Sequence, residues 1–401
     1  MDGLIFKLPL TEEYIRNANY EVENLEIKNL WDEFERGVHK RVPIRLNSNP
    51  KVLILDSALN YLNIQFKDYL YDPELMAQVQ LNWELWRRFL LPGDHEHGLP
   101  EQWEIYIDFQ NVYDASWFGA PLVFMDSQVP TIHPILRDDN CKMMLFDKGL
   151  PEPFKGELAQ LALDHIEYYE KRFKGGWEFL GKPVKLTWKT PFGWTDGIFT
   201  VATLLRGMEN LCMDILLDPQ YVHQLLGYIT EALINRMQAW LKFMGISYPM
   251  ALYWFADDAI QILSREQYVE FVLPYHKKIY QIFSKPEKRF IHLCGNVQHL
   301  LPTIKKELGV NFFETGFPVD FGILRKELGP QVTILGGPKA SLFLKGYARE
   351  LISETEKILG SGVLKGKKFI LQEGNNLPPC VDIDSCKDFY EFAKCKGILF
   401  D

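Results

Sequence analysis

Apolar residues along this chain follow two alternating rhythms. Short β-rich runs of four to six residues recur, and between the later ones lie stretches whose apolar positions return every three to four residues. The runs are Arg41–Leu46, Trp103–Ile107, Val184–Trp188, Ala251–Phe255, Phe290–Leu293, Asn311–Glu314, Val332–Leu335 and Lys368–Leu371. Helical periodicity covers Thr11–Arg36 and Pro73–Leu91 early in the chain. Later it covers Ile198–Leu217, Pro219–Phe243, Ser264–Phe283, Val297–Glu307 and Lys345–Leu359. Ser264 with Gln267 three residues on, and Asp218 before Pro219, are helix-start signals. Strand alternating with helix predicts a mostly parallel sheet, and eight strands favour a closed (β/α)8 TIM barrel. The expected organisation is one domain over residues 1–401, with a helical N-terminal extension over about residues 1–40. The proline-bearing stretch Asp126–Lys155 is expected to be a long connection that covers a site.

Composition narrows the class. The 401 residues are 47% hydrophobic and 24% charged, ordinary for a globular enzyme. A formal net charge of −9 leaves no basic surplus to neutralise phosphates, so a nucleic-acid partner is not expected. No apolar run approaches the ~20 residues of a membrane span. The start MDGLIFKLPLTEEY shows only a brief apolar patch before acids. Six sparse cysteines read as reduced thiols of a cytoplasmic protein.

The chemistry concentrates where strands end. In Phe290-Ile291-His292-Leu293-Cys294-Gly295, period-two geometry puts His292 and Cys294 on one side of an extended segment. Imidazole and thiolate are a ligand pair that zinc prefers, although a buried cysteine beside a hydrogen-bonded histidine has the same spacing. If the barrel holds, other strand ends supply Asn47, Asp108, the adjacent acids Asp257 and Asp258, Glu314, and Glu373 with Asn375 and Asn376. Two carboxylates facing one cavity repel, which would raise the pKa of one and suit a general acid or a substrate-orienting group. Nucleotide-binding glycine motifs and a GxSxG elbow are absent from the sequence.

From about Gly37 to Leu399 the sequence resembles the uroporphyrinogen decarboxylase superfamily, which includes cobalamin-dependent methyltransferases. The marks are Ile107-Asp108-Phe109, Thr203 to Glu209, Asp218-Pro219, Asp257-Asp258, Tyr268 to Tyr275, His292-Leu293-Cys294-Gly295 and Asn375-Asn376-Leu377-Pro378-Pro379. The resemblance implies a (β/α)8 barrel. The arginine pair that grips a tetrapyrrole in true decarboxylases is missing, since Arg45-Leu46-Asn47-Ser48-Asn49 stands in its place. The methyltransferase branch implies zinc on His292, Cys294 and a distant third cysteine. Asn375 stands in that cysteine's place here, so either Cys380 or an oxygen ligand such as Glu373 completes the set, or the metal is not zinc. It further implies Asp257, Asp258 and Asp108 as groups that orient substrate or supply a proton. Asn47, Glu314, Asn375 and Asn376 are the expected substrate contacts. The implied reaction moves a methyl group between a small methoxylated or methylated compound, thiol or folate and a corrinoid (cobalamin) carried by a partner protein. A decarboxylase or lyase acting on a smaller, less anionic substrate is the alternative, and a homodimer is the oligomer considered.

Overall fold

The computed structural model describes residues 3–188 and 190–399. It is an α/β fold. Six strands carry it: β1 (Trp103–Tyr106), β2 (Lys182–Trp188), β3 (Phe290–Leu293), β4 (Phe312–Thr315), β5 (Thr333–Gly336) and β6 (Phe369–Leu371). β3, β4, β5 and β6 form a parallel ladder in chain order. Two further segments extend it through isolated parallel bridges, Ile44 with Leu371 at one edge and Tyr253 and Ala256 with Arg289 and His292 at the other. β1 and β2 pair in parallel as a separate sheet. All eight predicted β-rich segments are therefore extended, six as strands and two as bridges.

Among the described residues no β-pairing joins the two sheets. At one junction the reason is visible. Pro43 and Arg45 turn their backbone groups toward Leu371, so Ile44 presents its own to the opposite edge. There Asp94 takes both: Ile44 N–H donates to Asp94 Oδ2 at 2.7 Å, and Asp94 N–H donates to the Ile44 carbonyl at 2.8 Å. The facing edge of β1 is occupied in the same way, since Gln80 accepts from Tyr106 N–H and donates to its carbonyl, each at 2.8 Å. Asp94, through its carboxylate and its own N–H, and the Gln80 side chain thus satisfy the backbone groups that a strand pair would have used.

The helices that matter for the site are α1 (Glu21–Arg36), α2 (Pro73–Leu90), α3 (Ile198–Arg206), α4 (Met208–Leu217), α5 (Pro219–Phe243) and α6 (Leu273–Phe283). The N-terminal stretch is helical, as periodicity predicts, but is split at Ala18–Tyr20 into Glu12–Asn17 and α1. α1 packs Phe34 against Leu335 and Ile370 on the outward side of β5 and β6. The run expected as one helix from Ile198 to Leu217 breaks at Gly207, whose φ of 84° is outside the helical region. The run from Ser264 starts with the predicted capping box and loosens into a wide turn at Tyr268–Val272, just ahead of Pro274, which has no N–H to give. One continuous hydrophobic core reaches from Phe6 to Ala393.

The long connection Asp126–Lys155 is held down by polar contacts. Arg206 donates to the carbonyls of Leu136 and Arg137 and pairs with Asp139, and Lys142 bridges Asp214 and Asp218. Trp240 donates to the Pro153 carbonyl. Val129 and Pro130 from this connection line the cavity described below. Among the described residues, no helix is long and apolar enough to cross a membrane.

Candidate functional site

β3 and its neighbours bring the candidate donors together by register. His292 is the ladder partner of Glu314 on β4 and bridges to Ala256 on its other side. Cys294 stands two residues beyond His292, and Asp258, two beyond Ala256, opens the 3-10 turn Asp258–Ile262 at the same rim. Asp258 Oδ1 accepts from the Cys294 N–H at 2.6 Å, and His292 Nε2 lies 3.1 Å from Cys294 Sγ. Asp258, His292 and Cys294 can each offer one ligand atom within 4.8 Å of the others. Gly295, at φ 77°, lets the chain leave the rim, and a side chain there would collide with Gln261.

Glu314 fixes the imidazole. Its Oε2 lies 2.9 Å from His292 Nδ1, and Gln372 and Asn47 donate to its Oε1 at 2.7 and 3.3 Å. Burial would raise this carboxyl, but the His292 imidazole beside it lowers it to about 2. Burial would lower His292 in turn, but its bonds to Cys294 and Glu314 hold it well above the usual imidazole value. Burial pushes the Cys294 thiol up, against the opposing pull of His292.

An imidazole, a thiol and a carboxylate converging within 4.8 Å, with a carboxylate behind the imidazole, fit the requirements of a zinc site with an open position. Neither expected third ligand belongs to this group. Cys380 is exposed, and the acid that acts on its thiol is Asp56. Glu373 is fully buried, and both its oxygens accept from the Asn47 N–H at 3.0–3.1 Å. The group that the fold places beside His292 and Cys294 is Asp258.

Asp257 also departs from expectation. The chain leaves its extended path here, Asp257 capping the 3-10 turn Asp258–Ile262, and Asp257 turns into the protein where Asp258 turns to the rim. Fully buried, it accepts from the N–H groups of Phe199 and Thr200, from Thr200 Oγ1 and from His276 Nε2, all between 2.7 and 2.9 Å. It thereby satisfies N–H groups at the start of α3 that have no partner within the helix. Gly197 permits this approach at φ 109°, where any side chain would strike the Asp257 carboxyl. Asp257 is a structural acid and not a substrate-facing one.

The rim opens into a cavity of about 420 Å³ lined by Asp258, His292, Cys294 and Glu314 together with Asn47, Asn375 and Asn376. Arg45 and Lys51 are its cationic wall. Burial lowers the Lys51 ammonium, which faces Cys294 and Asp108. A second cavity of about 640 Å³ adjoins it, sharing Asn49, Gln110, Asn111, Asp196 and Trp254, and its walls include Tyr106, Phe109, Tyr113, Trp194 and Leu252. Asp108 lies in this aromatic chamber and not beside the donor group. Tyr69 Oη and Gln110 Nε2 donate to its Oδ2 at 2.9 and 2.6 Å, and burial raises its carboxyl.

Asp196 and Lys51 escaped the reading of the sequence. Asp196 precedes the helix start at Ile198 and looks like a capping acid, while Lys51 opens the short helix Lys51–Ile54 and has no motif around it. The sequence profile described as uroporphyrinogen decarboxylase (URO-D) matches residues 118–395, a span that contains the whole Asp258, His292 and Cys294 group. The chain belongs to this family. A methylated-thiol–coenzyme M methyltransferase of Methanosarcina mazei is 30% identical over 169 residues, which cover 41% of this chain and 43% of that relative. The match thus spans less than half of the relative's length. Among solved structures, a methyltransferase from Methanosarcina mazei superposes with a TM-score of 0.60 over 92% of this chain and 98% of its own, at 16% identity. That likeness is one of fold.

Proposed function

We propose that this member of the family is a methyltransferase that moves a methyl group between a small substrate and a corrinoid carried by a partner protein, assisted by zinc. The observation that carries the reading is the convergence of Asp258, His292 and Cys294 on one rim, backed by Glu314, above a cavity with an aromatic annex. The name of the Methanosarcina mazei relative, a methyltransferase acting on methylated thiols, supports it. On this reading the eight parallel segments are the staves of a (β/α)8 barrel, and the cavity opens past their carboxyl ends, where such barrels do chemistry.

Bound by Asp258, His292 and Cys294, zinc would supply Lewis acidity to the heteroatom of the substrate. The chain's own groups do the positioning. Glu314 accepts from His292 Nδ1 and so leaves Nε2 to face the thiol. Asp258 fixes the Cys294 backbone, which sets where the sulfur points. The aromatic chamber takes the apolar body of the substrate and sheds its water. Asn375 and Asn376 offer amide groups to its polar atoms.

Metal analysis of the purified protein tests the site, with about one zinc per chain expected and much less in His292→Ala and Cys294→Ser. The activity is tested by following the absorption of reduced cobalamin with a panel of methoxylated aromatics and methylated thiols and amines, and of methylcobalamin with thiols and folate. Stoichiometric zinc in both variants overturns the ligand assignment. An unchanged corrinoid spectrum across the whole panel, with zinc bound, overturns methyl transfer in favour of a lyase.

A further inference from the structure

Asp196 is the acid at the site for which the fold has no use. It lines both chambers, together with Trp254, and so stands where one opens into the other. Its Oδ2 is buried and has no hydrogen-bond partner among the described residues. Buried polar atoms are nearly always paired, and an orphan at a cavity wall points to a ligand atom as the missing partner.

The surroundings hold the carboxyl in place. Asp196 N–H donates to Asp114 Oδ2 at 2.8 Å, and Thr195 Oγ1 donates to the same oxygen at 3.0 Å. Asp114 Oδ1 in turn lies 2.6 Å from Arg236 Nη1, with both side chains fully buried, and Arg236 Nη2 donates to the Trp194 carbonyl at 2.6 Å. A buried ion pair therefore clamps residues 194–196 from behind, with the Asp196 carboxyl and Trp194 at the cavity wall.

We propose that Asp196 is a ligand-binding residue that hydrogen-bonds the oxygen or sulfur of a bound substrate, fixing that atom at the boundary between the aromatic chamber and the donor group. The proposal rests on the methyltransferase reading for the identity of that atom as the one bearing the methyl group. Burial first, then the charges of Asp114 and Asp258, hold the Asp196 carboxyl well above its usual range, so the neutral carboxyl can donate to a lone pair. Trp254 and Tyr113, which share the chamber, would receive the apolar part.

Three probes of similar shape test this on the full chain: anisole and thioanisole, which can accept a hydrogen bond, and toluene, which cannot. Binding is followed by tryptophan fluorescence and calorimetry. The preference for anisole and thioanisole over toluene should fall by ~3- to 10-fold in Asp196→Ala, the worth of one hydrogen bond. Asp196→Asn, whose amide can still donate, should keep most of it. An unchanged preference in Asp196→Ala, or equal loss for all three probes, overturns the proposal. Infrared difference spectra of the wild-type protein provide a measurement independent of any variant. The protonated-carboxyl stretch should shift with anisole and not with toluene, and the absence of a shift overturns the proposal. If Asp196 governs probe preference while no methyl group moves, the methyl-transfer reading fails alone. If methyl groups move while the preference ignores Asp196, only the present inference fails.

Discussion

Glu314 Oε2 lies 2.9 Å from His292 Nδ1 because the two residues are register partners on adjacent parallel strands. The pair is a product of the ladder, so its geometry is as rigid as the sheet beneath it. It fixes which imidazole nitrogen faces Cys294 and makes the histidine a better ligand.

Glu314→Gln should therefore weaken zinc binding by ~10- to 100-fold without abolishing it, the usual cost of losing a carboxylate behind a ligating histidine. Competition with a chromophoric chelator measures this directly. Affinity equal to wild type would mean that Glu314 does not tune the metal.

The third ligand is settled by comparing three variants. Asp258→Ala should lose most of the bound zinc, whereas Cys380→Ser and Glu373→Gln should retain it. The reason is placement: Asp258 is within 4.8 Å of both other donors, Cys380 is exposed, and Glu373 is occupied by Asn47. Zinc lost in Cys380→Ser but kept in Asp258→Ala would reverse the assignment.

Asp257→Ala should destabilise the fold by about 3 kcal/mol or more, because it leaves the N–H groups that start α3 and the buried His276 without their acceptor. Urea unfolding gives the loss. The zinc content of the folded fraction should match wild type, which separates this variant from Asp258→Ala.

These contrasts show what the sequence carried and where it stopped. Alternation of strand and helix was legible, as was the shared face of His292 and Cys294, because period two is a local property. Asp257 and Asp258 stand where the chain turns from the sheet into a 3-10 helix, and it takes the bridge between Ala256 and His292 to say which acid faces the rim. That bridge joins residues 36 positions apart. Glu373 and Cys380 looked suitable by donor chemistry alone, and only packing shows that one is consumed by a backbone N–H and the other faces solvent. Asp94 and Gln80 illustrate the limit from the opposite direction. Nothing local marks them as side chains that occupy strand edges, since the pairing of each is set by residues far along the chain.

Glu373 supplies a pH-dependence. Burial holds its carboxyl well above the usual value, with the Asn47 N–H acting in the opposite direction. The folded protein therefore keeps this proton at pH values where the unfolded chain has released it. Stability falls as pH rises from the ordinary glutamate range toward the raised folded value. Glu373→Gln cannot ionise and can still accept from Asn47, so it should flatten this slope and be the more stable protein at neutral pH. Unfolding midpoints taken from pH 4 to 8 (roughly the span over which carboxyl shifts act) decide it. Parallel curves for the two proteins would show that Glu373 carries no linkage.

Uroporphyrinogen should not be turned over. A substrate with many carboxylates needs cations where its side chains are buried, since each unpaired buried charge costs several kcal/mol. Of the residues that line the two chambers, the basic ones are Arg45, Lys51 and His292. Arg45 is already engaged, donating to Asn47 Oδ1 at 2.9 Å, and Lys51 faces Asp108 and Cys294. A polyanion would thus find only Lys51 and a His292 already paired with Glu314, too few cations for its side chains. Incubation with uroporphyrinogen under anaerobic conditions, followed by chromatography of the oxidised porphyrins, should show no product above the enzyme-free control. Coproporphyrin formed at an enzymatic rate would mean that the cavity does supply partners for the substrate carboxylates, and it would return the chain to the decarboxylases of its family.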